Sequence, residues 1–491
     1  MKVLFFPTCH VTPHLETELE IAQTHLEKGD SVVFLVCKGE LQTCLNNPEH
    51  LKSICIKCNS TVNYGLKLLG GKNVTRLDYP KLNIDYSTIP QEFEDIVELK
   101  EYKIDETIEI GLGAASSLIS LNNREHKLNT KEFKYKIYRE LCSSYYLYKT
   151  FVLSIIPEIK PDVLYIFNGR FSTSWPIVSL CKKINLSFFT HDRGGKMGKF
   201  LLVKNTILHD FSYFNDEIEK VWTEGDDSKY NTGSSFYLER RNRIVQGWYS
   251  FTKSQIKNSL PESFSKNRKN IAIFNSTIEE YAAVKGWEKF LYIYDNEIDA
   301  IKSILTLFKN DDNKHFYLRV HPNLKGFNNT QTNDLHNLGK EFNNIEIIEP
   351  ESPVDTYALL ENSDIIIVLG STVGIEAAYW GKPVIQLGLS LYNHLNSVYI
   401  TRSIDQLEDL INSDLKPKDT LGAIKYGYWE LTRGVQYKYF IQENIFEGKF
   451  LNKRIRPSIF KYLFFEILEI RSLTDIKKII RKRFPKMVKT Y

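Results

Sequence analysis

The segment Gly370-Ser371-Thr372 has the residue types of a phosphate-binding turn. It follows an apolar run at 365–369 and precedes a predicted helix, and open α/β sheets bind ligands beyond the carboxyl ends of their strands. Glycine there permits a close backbone approach, the two hydroxyls donate hydrogen bonds, and the first N–H groups of the helix attract an anion. Glu376 lies one helical turn further on, where it can accept hydrogen bonds from ribose hydroxyls. The alternative is an ordinary capped helix with Glu376 in solvent.

A second segment, Arg319-Val320-His321-Pro322, follows a predicted strand at 315–320. Because side chains alternate along a strand, Arg319 and His321 point to the same side, and Pro322 fixes the direction in which the chain leaves. Two adjacent donors of this kind can neutralise a diphosphate or the phosphate of a leaving nucleotide. The alternative is a surface arginine beside a turn histidine.

Four of the seven cysteines fall within one short segment, as Cys37, Cys44, Cys55 and Cys58. A C-x2-C pair with two further thiols suits a tetrahedral zinc site, and four thiolates also ligate iron–sulfur clusters. The usual spacing of two C-x2-C pairs is not matched. Buried free thiols are the alternative, since free cysteine is among the most buried residue types. We expect a structural zinc ion at this cluster.

The elements that would position these residues predict an α/β protein. The chain of 491 residues is 25% charged and 42% hydrophobic, which excludes collagen-like, coiled-coil and wholly disordered classes and predicts two or three domains. The first half contains predicted strands at 3–6, 31–36, 162–167 and 186–190 and helices at 14–27, 131–156 and 175–183. The second half contains predicted strands at 270–274, 315–320, 344–348, 364–369 and 383–387 and helices at 353–361 and 372–380. Such alternation predicts two doubly wound parallel sheets.

These elements divide the chain into three predicted parts. Residues 1–255 form a Rossmann-like domain with the cysteine cluster, residues 270–445 a second such domain, and residues 446–491 a basic amphipathic helical tail. Between 453 and 489, twelve basic and three acidic residues give the tail a charge of +9, so a net charge of +4 leaves −5 for the rest. An acidic body argues against nucleic acid as a partner. The tail suits an anionic membrane surface, and a terminal helix packed on the body is the alternative.

Three motifs of the second half occur in the order of one enzyme family. They are Arg319-Val320-His321-Pro322, the segment 350–357, and the segment 370–377 followed by Gly381-Lys382-Pro383-Val384. In these motifs the chain resembles bacterial capsular polysaccharide biosynthesis glycosyltransferases, GT-B enzymes with HP and S motifs that are related to Kdo transferases and polysialyltransferases. The resemblance implies two Rossmann-like domains that face each other across a cleft. It also implies that His321, Ser371 and Thr372 hold the donor phosphate and that Glu351 and Ser352 flank the nucleobase.

The first half supplies candidates for the acceptor side. They follow two apolar strands and are Asn168 and Arg170 after one and His191, Asp192 and Arg193 after the other. An inverting transferase needs a carboxylate or imidazole that takes the proton of the acceptor hydroxyl. Asp192 and His191 are the predicted bases, with loop capping or a salt bridge as the alternative. His14 is a further acceptor-side residue, and His10, His14 and Asp210 are the next candidates for the base.

The sequence therefore predicts an inverting glycosyltransferase. It would transfer a sugar from a nucleotide-sugar donor, CMP-linked by the family resemblance, to a surface or capsular polysaccharide or a lipid-linked acceptor. No Asp-x-Asp motif is evident, and Arg319, His321 and a helix dipole can stabilise the leaving group, so transfer should require no cofactor. The alternatives are a non-hydrolysing sugar-nucleotide epimerase, a polyol-phosphate transferase, and a non-catalytic nucleotide-sugar-binding subunit of a capsule assembly complex.

The hydropathy of the chain predicts its location. No apolar run approaches the roughly 20 residues that span a bilayer, and the apolar start is too short for a signal peptide. We therefore expect a cytoplasmic protein that associates peripherally with the inner membrane through its basic tail.

Overall fold

The computed structural model describes residues 1–70, 73–247, 250–287 and 289–456. Its strands are β1 Lys2–Phe5, β2 Ser31–Val36, β3 Val74–Asp78, β4 Val163–Phe167, β5 Ser187–Arg193, β6 Lys199–Lys204, β7 Lys269–Phe274, β8 Lys314–Arg319, β9 Ile345–Ile348, β10 Ile365–Val368, β11 Val384–Gln386, β12 Tyr399–Ile400, β13 Val435–Gln436, β14 Phe440–Asn444 and β15 Glu447–Phe450. Its helices are α1 His14–Glu27, α2 Lys52–Leu66, α3 Ile96–Glu101, α4 Ile110–Leu121, α5 Lys134–Thr150, α6 Trp175–Lys183, α7 Phe211–Glu224, α8 Lys229–Arg241, α9 Glu297–Leu307, α10 Thr330–Glu341, α11 Thr356–Asn362, α12 Val373–Tyr379, α13 Ile404–Asn412 and α14 Leu421–Thr432. A π-helix, Phe151–Ile159, continues α5, and 3-10 turns lie at Ile278–Glu280, Pro322–Leu324 and Asn393–Leu395.

The strands of the described residues form two large sheets and one hairpin. In the first sheet β3-β2-β1-β4-β5 is parallel, and β6 and β13 extend it antiparallel at one edge. The second sheet is parallel throughout, in the order β9-β8-β7-β10-β11-β12. In both sheets the strand order reverses beside the first strand of the domain, as in doubly wound folds. The predicted α/β fold of two Rossmann-like sheets is confirmed, and with it the GT-B class.

Strand β10 shows why the second sheet forms. Its four residues are β-branched, which favours a strand, and each is at most 1% exposed. Ile365 and Ile367 pack in the core on one face of the sheet, and Ile366 and Val368 pack in the core on the other face. Burying each such side chain contributes about 1.5–3 kcal/mol relative to exposure. A strand covered on both faces is therefore apolar throughout.

The register of the second sheet brings the ends of three strands into line. Phe274 at the end of β7 is paired with Arg319 at the end of β8 and with Val368 at the end of β10. The loops that follow these strands therefore leave the sheet at one edge. This edge includes the point where the strand order reverses, between β7 and β10.

After α14 the chain returns to the first sheet. Strand β13 pairs with β6, and the hairpin of β14 and β15 packs beside α1. Glu20, buried in α1, accepts hydrogen bonds from the backbone N–H groups of Lys438, Tyr439 and Phe440 at 2.6 to 3.1 Å. Helices α7 and α8 pack with α14 in a core that includes the second sheet. The packing thus crosses the predicted boundaries at 255 and 445, and that division of the chain stays a prediction.

The elements differ from the predicted ones at several places. The unassigned region 59–130 contains part of α2, all of β3, α3 and α4, and β3 is an outer strand of the first sheet. The predicted helix 131–156 is α5 with its π-helical continuation. The tail predicted from 446 begins as strand β15 rather than as a helix, and 457–491 lies outside the described residues. No helix in the described ranges is long and apolar enough to cross a membrane.

Candidate active site

One cavity of about 650 Å³ lies between the two sheets, beyond the carboxyl ends of their strands. It is lined by the predicted residues Arg170, Asp192 and Arg193 of the first domain and Arg319, His321, Ser371, Thr372 and Glu376 of the second. The volume falls in the range typical of pockets for small ligands, which is roughly 300–1,000 Å³. The two segments that the sequence singled out in the second half therefore meet at one site.

Arg319 is the cation of the second-domain face. It ends β8 and is only 3% exposed, and its Nη2 donates to the Ser352 carbonyl at 3.3 Å. Its Nε and Nη1 are buried and have no hydrogen-bond partner among the described residues. Burial lowers the pKa of Arg319 to about 10, although the negative charge of Asp355 raises it. The guanidinium therefore remains charged at neutral pH. A buried cation with unused donors favours an anionic ligand.

His321 presents a neutral imidazole to the same cavity. Its Nδ1 accepts a hydrogen bond from the Asn323 backbone N–H at 3.2 Å and lies 2.9 Å from the Thr277 hydroxyl. Burial lowers the pKa of His321 to about 4, with Arg124 acting in the same direction. Since Nδ1 is the acceptor, the proton of the neutral ring is on Nε2. His321 can therefore donate a hydrogen bond to a phosphate without adding a charge.

The predicted phosphate-binding turn 370–372 lies at the cavity, but its glycine has a different role from the predicted one. Ser371 and Thr372 line the cavity, and the Ser371 Oγ accepts from the Val373 N–H at 3.3 Å, where α12 begins. Gly370 has a φ of +94°, and a Cβ there would lie 2.4 Å from the ring of Phe290. Glycine is therefore required at 370 by the packing of Phe290 rather than by the approach of a ligand.

Glu376 is already bound within the protein. Its Oε1 accepts from Nε and Nη2 of Arg240 at 3.0 and 2.9 Å, and its Oε2 accepts from the Tyr357 hydroxyl at 2.6 Å. The prediction of a free acceptor for ribose hydroxyls is thus corrected, because both oxygens are occupied. The prediction that Ser352 flanks the nucleobase is also corrected, because Ser352 does not line the cavity. Its carbonyl instead accepts a hydrogen bond from Arg319.

On the first-domain face, the two predicted bases point in opposite directions. Strand β5 continues to Arg193 instead of ending at 190, because it pairs with β6 up to Phe200. Consecutive side chains of a strand alternate between its two faces. His191 is consequently 0% exposed, with Nε2 at 3.3 Å from Oε1 of the buried Glu18, whereas Asp192 lines the cavity. The structure corrects the prediction of His191 as a base.

Asp192 is held by three neighbours. Asn168 Nδ2 donates to Oδ2 at 2.9 Å, the Arg193 backbone N–H donates to Oδ1 at 2.7 Å, and Nδ1 of His14 lies 3.7 Å from Oδ1. Burial raises the pKa of Asp192, but His14 and these hydrogen bonds outweigh it, and the pKa is lowered. Asn168 and His14 thus position Asp192 and do not themselves line the cavity.

The two predicted acceptor-side arginines have partners in the protein. Arg170 Nη2 lies 3.5 Å from Oε1 of Glu279, which follows β7, so this pair joins the two domains. Arg193 Nη2 donates to the Thr12 carbonyl at 3.2 Å, and its guanidinium lies over the Phe446 ring. Among the second-tier bases, His10 does not line the cavity, and Asp210 caps α7 at the Tyr213 N–H beside a separate cavity of about 320 Å³.

The central part of the chain is similar in sequence to one protein family. Residues 218–403 match the sequence profile of the family described as capsule polysaccharide biosynthesis protein. This match confirms the predicted family resemblance. It covers every strand of the second sheet, and with it Arg319, His321 and Ser371. No curated protein matches the sequence.

Several solved structures are similar to the chain. The Thermosulfurimonas dismutans KpsC β-Kdo 2,4 transferase is 11% identical, with 63% of this chain and 88% of that chain covered and a TM-score of 0.36. For the β-Kdo 2,7 transferase of the same KpsC these values are 12%, 56%, 79% and 0.34. The UDP-GlcNAc 2-epimerase of Neisseria meningitidis bound to UDP-GlcNAc is 14% identical, with 87% and 97% covered and a TM-score of 0.30. At such identities and TM-scores, no residue role is transferred from these proteins.

The four clustered cysteines lie at a different place. All four line one small cavity of about 40 Å³. Burial raises the pKa of Cys37 to about 11 and that of Cys44 to about 12, so the thiols are protonated at neutral pH. Within the described ranges, no group of three or more His, Cys, Asp or Glu side chains is arranged to hold a metal ion. The structure thus brings the cysteines together, and the zinc ion stays a prediction.

The sequence did not indicate several other residues of the cavity. They are Arg240, Gln246, Phe251, Glu279, Glu280, Glu430 and Arg433. Arg240 lies near the end of α8, and Gln246 and Phe251 lie between α8 and β7. Glu430 lies in α14, and Arg433 directly follows that helix. None belongs to a motif, since the fold brings them together from distant parts of the chain. The Glu279-Glu280 pair, which follows the buried strand β7 after a short loop, was the one available signal.

Proposed function

We propose that the protein is a glycosyltransferase that transfers a sugar from a nucleotide-sugar donor to a glycan acceptor of a surface polysaccharide. The observation that supports this most is Arg319, a buried cation with two unpartnered N–H groups, beside the imidazole of His321. Leaving a buried charged group without a partner is unfavourable, and a phosphate would supply that partner. The match of the same domain to a capsule polysaccharide biosynthesis family is the second support.

In this proposal, negative charge develops on the donor phosphate as its bond to the sugar breaks. Arg319 and His321 donate hydrogen bonds to it, and removing one donor of this kind typically costs a factor of about 10² to 10³ in rate. Because a guanidinium and an imidazole N–H stabilise this charge, the reaction requires no divalent metal. The acceptor binds on the side of Asp192, and a single displacement from that side inverts the configuration at the sugar.

The donor and the location belong to the same proposal. A CMP-linked sugar is favoured by the family resemblance, and the acceptor is a glycan or glycolipid. The basic tail would hold the protein at the inner-leaflet surface, which rests on the sequence of 453–489 alone.

A nucleotide-release assay tests the proposal. The protein is incubated with CMP-, UDP- and GDP-linked sugars, with and without a capsular oligosaccharide. We expect release from one nucleotide class, a rise with the acceptor, and a loss of about a hundredfold or more in Arg319→Gln. The control is Arg402→Gln, a surface arginine over the Tyr292 ring, which should behave as wild type. Conversion of the donor sugar without acceptor would favour the epimerase, and binding without turnover would favour a binding subunit.

A further inference from the structure

Five carboxylates line the cavity, and three of them are held in ion pairs. Glu279 contacts Arg124 and Arg170, Glu376 contacts Arg240, and Glu430 contacts Arg433. Guanidinium groups and, at Glu376 and Glu430, a tyrosine hydroxyl already occupy the oxygens of these three carboxylates, which makes them poor acceptors for a further proton. Asp192 and Glu280 remain as groups that can take it.

Asp192 is the weaker proton acceptor of these two. Burial raises its pKa, but His14, Asn168 and the Arg193 N–H together lower it. The hydrogen bonds from Asn168 and from the Arg193 N–H stabilise the anion, so protonating Asp192 costs free energy. The same contacts make Asp192 well suited to accept a hydrogen bond from a substrate hydroxyl.

Glu280 has a different environment. It ends the 3-10 turn Ile278–Glu280 after β7 and is exposed to the cavity. Asn323 Nδ2 donates to its Oε1 at 3.0 Å, and no residue of the described ranges hydrogen-bonds its Oε2. Desolvation in the cavity raises the pKa of Glu280, although the hydrogen bond from Asn323 and the charges of Arg170 and Arg124 lower it.

Glu280 lies where the donor site and the first domain meet. Asn323 bonds the Glu280 carboxylate through its side chain and Nδ1 of His321 through its backbone N–H, at 3.0 and 3.2 Å. Arg170 of the first domain interacts electrostatically with both Glu280 and Asp192. The sugar of a donor held at His321 and an acceptor held at Asp192 would therefore both approach Glu280.

We propose that Glu280 is the catalytic base of the transfer, an inference that rests on the proposed function. The acceptor oxygen forms the new bond to the anomeric carbon, and its proton passes to Oε2 of Glu280. The bond between that carbon and the phosphate oxygen breaks, and its electron pair leaves on the phosphate. Glu280 afterwards releases the proton to water. Asp192 orients the acceptor hydroxyl and does not take its proton.

The groups that face Glu280 set its titration. They are Arg124 from the loop after α4, Arg170 from the loop after β4, Glu279 and Tyr281 beside it in the chain, and Asn323 and His321 after β8. The two arginines favour the anion of Glu280, but both are already paired with Glu279. Desolvation therefore prevails, and Glu280 is a stronger base than an ordinary surface glutamate.

Glu280→Gln tests the inference, because glutamine keeps the size of the side chain and an acceptor for Asn323. Nucleotide release in the presence of acceptor should fall by about 10² to 10⁴, and the rise of the rate with pH that reports the base should disappear. Affinity for the nucleotide, chosen from CMP, UDP and GDP by thermal shift, should change by less than about twofold. Asp192→Asn, the matched cavity carboxylate, should lose less activity and keep the rise with pH. Formate should restore part of the rate of Glu280→Ala.

Glu280→Asp keeps a carboxylate and serves if the other variants do not fold; it should retain the rise with pH at a reduced rate. Turnover of Glu280→Gln within about fivefold of wild type, or an unchanged pH profile, would overturn the role of Glu280. So would a larger loss in Asp192→Asn than in Glu280→Gln. A wild-type protein that binds none of the three nucleotides would instead overturn the proposed function itself.

Discussion

The two faces of the cavity are built by strands that end differently. On the second-domain face, Arg319, His321 and Ser371 lie at or directly after the ends of parallel strands. On the first-domain face, His191 and Asp192 lie within β5, which continues along its antiparallel partner β6. Alternation then buries one and exposes the other to the cavity. The exact end of a strand therefore decides which side chains a ligand can reach.

The two faces also differ in whether the N–H groups of their arginines already have hydrogen-bond partners within the protein. Arg319 has two N–H groups without a partner among the described residues, whereas Arg170 is bonded to Glu279 and to the Ser120 hydroxyl. An anion therefore gains more from the second-domain face. Substitutions of Arg319 or His321 should impair nucleotide binding and turnover, and substitution of Asp192 should impair the use of the acceptor.

Among the substitutions that compare Arg319 and His321 with Asp192 and His191, the largest effect on turnover is expected for His321→Ala. Loss of the Nε2–H donor to the leaving phosphate should reduce nucleotide release by at least about a hundredfold. His336→Ala is the matched control, since that histidine is exposed on α10 and bonded to Glu349. Full activity of His321→Ala, with unchanged nucleotide affinity, would show that His321 does not contact the donor phosphate.

A smaller effect on turnover is expected for Asp192→Asn. The loss of a charged hydrogen-bond acceptor for the acceptor hydroxyl should lower kcat/KM for the oligosaccharide by about tenfold to a hundredfold. His191→Gln, one residue away and buried against Glu18, should lower Tm and leave the kinetic constants of the folded protein unchanged. If His191→Gln impaired turnover and Asp192→Asn did not, the assignment of the two faces of β5 would be reversed.

A pH-dependent loss of stability should appear on both faces. Burial lowers the pKa of His14 and of His321 to about 4, so both rings are neutral in the folded protein. The unfolded chain binds protons at these residues from about pH 6.5 downward, so each histidine destabilises the fold as the pH falls from 6.5 towards 4. In urea unfolding, His14→Gln and His321→Gln should each reduce the loss between pH 7 and 5 by at most about 2 kcal/mol. An unchanged loss in His321→Gln would indicate that the imidazole is charged.

The smallest effect on turnover is expected at the cysteine cluster, which lines a separate cavity. Elemental analysis of protein purified without added metal should find about one zinc ion per chain, and less when Cys55 and Cys58 are both changed to serine. Nucleotide binding should not change in that variant. Metal-free protein of unchanged stability would show that the cluster consists of buried thiols.

Much of the second domain could be predicted from its sequence. Its strands are short apolar runs bounded by polar turns, and their ends place Arg319, His321, Ser371 and Thr372 at one edge whatever the details of packing. The end of β5 could not be predicted, because it is set by pairing with β6. The local hydrophobic pattern indicates that a strand is present, but it does not indicate which other strand pairs with it.

Contacts between residues that are far apart in the chain could not be predicted from the sequence either. Glu376 is bound by Arg240, which is 136 residues away, and Glu20 by backbone groups more than 410 residues away. Such pairs leave no periodicity, so Glu376 resembled a free carboxylate and the return of β13 to the first sheet had no signal. Glu280 was missed for the same reason, since its role depends on Asn323 and Arg170.

Calorimetric titration can measure directly whether the second-domain face of the cavity binds the nucleotide. The nucleotide is whichever of CMP, UDP and GDP stabilises the wild type; at roughly 100 times its Kd it should do so by about 2.7 kcal/mol. Arg319→Gln should weaken its binding by about tenfold to a hundredfold, the cost of a charged hydrogen bond, and Asp192→Asn should leave it within about twofold of wild type. Unchanged binding by Arg319→Gln together with weakened binding by Asp192→Asn would place the nucleotide on the first-domain face and contradict the account.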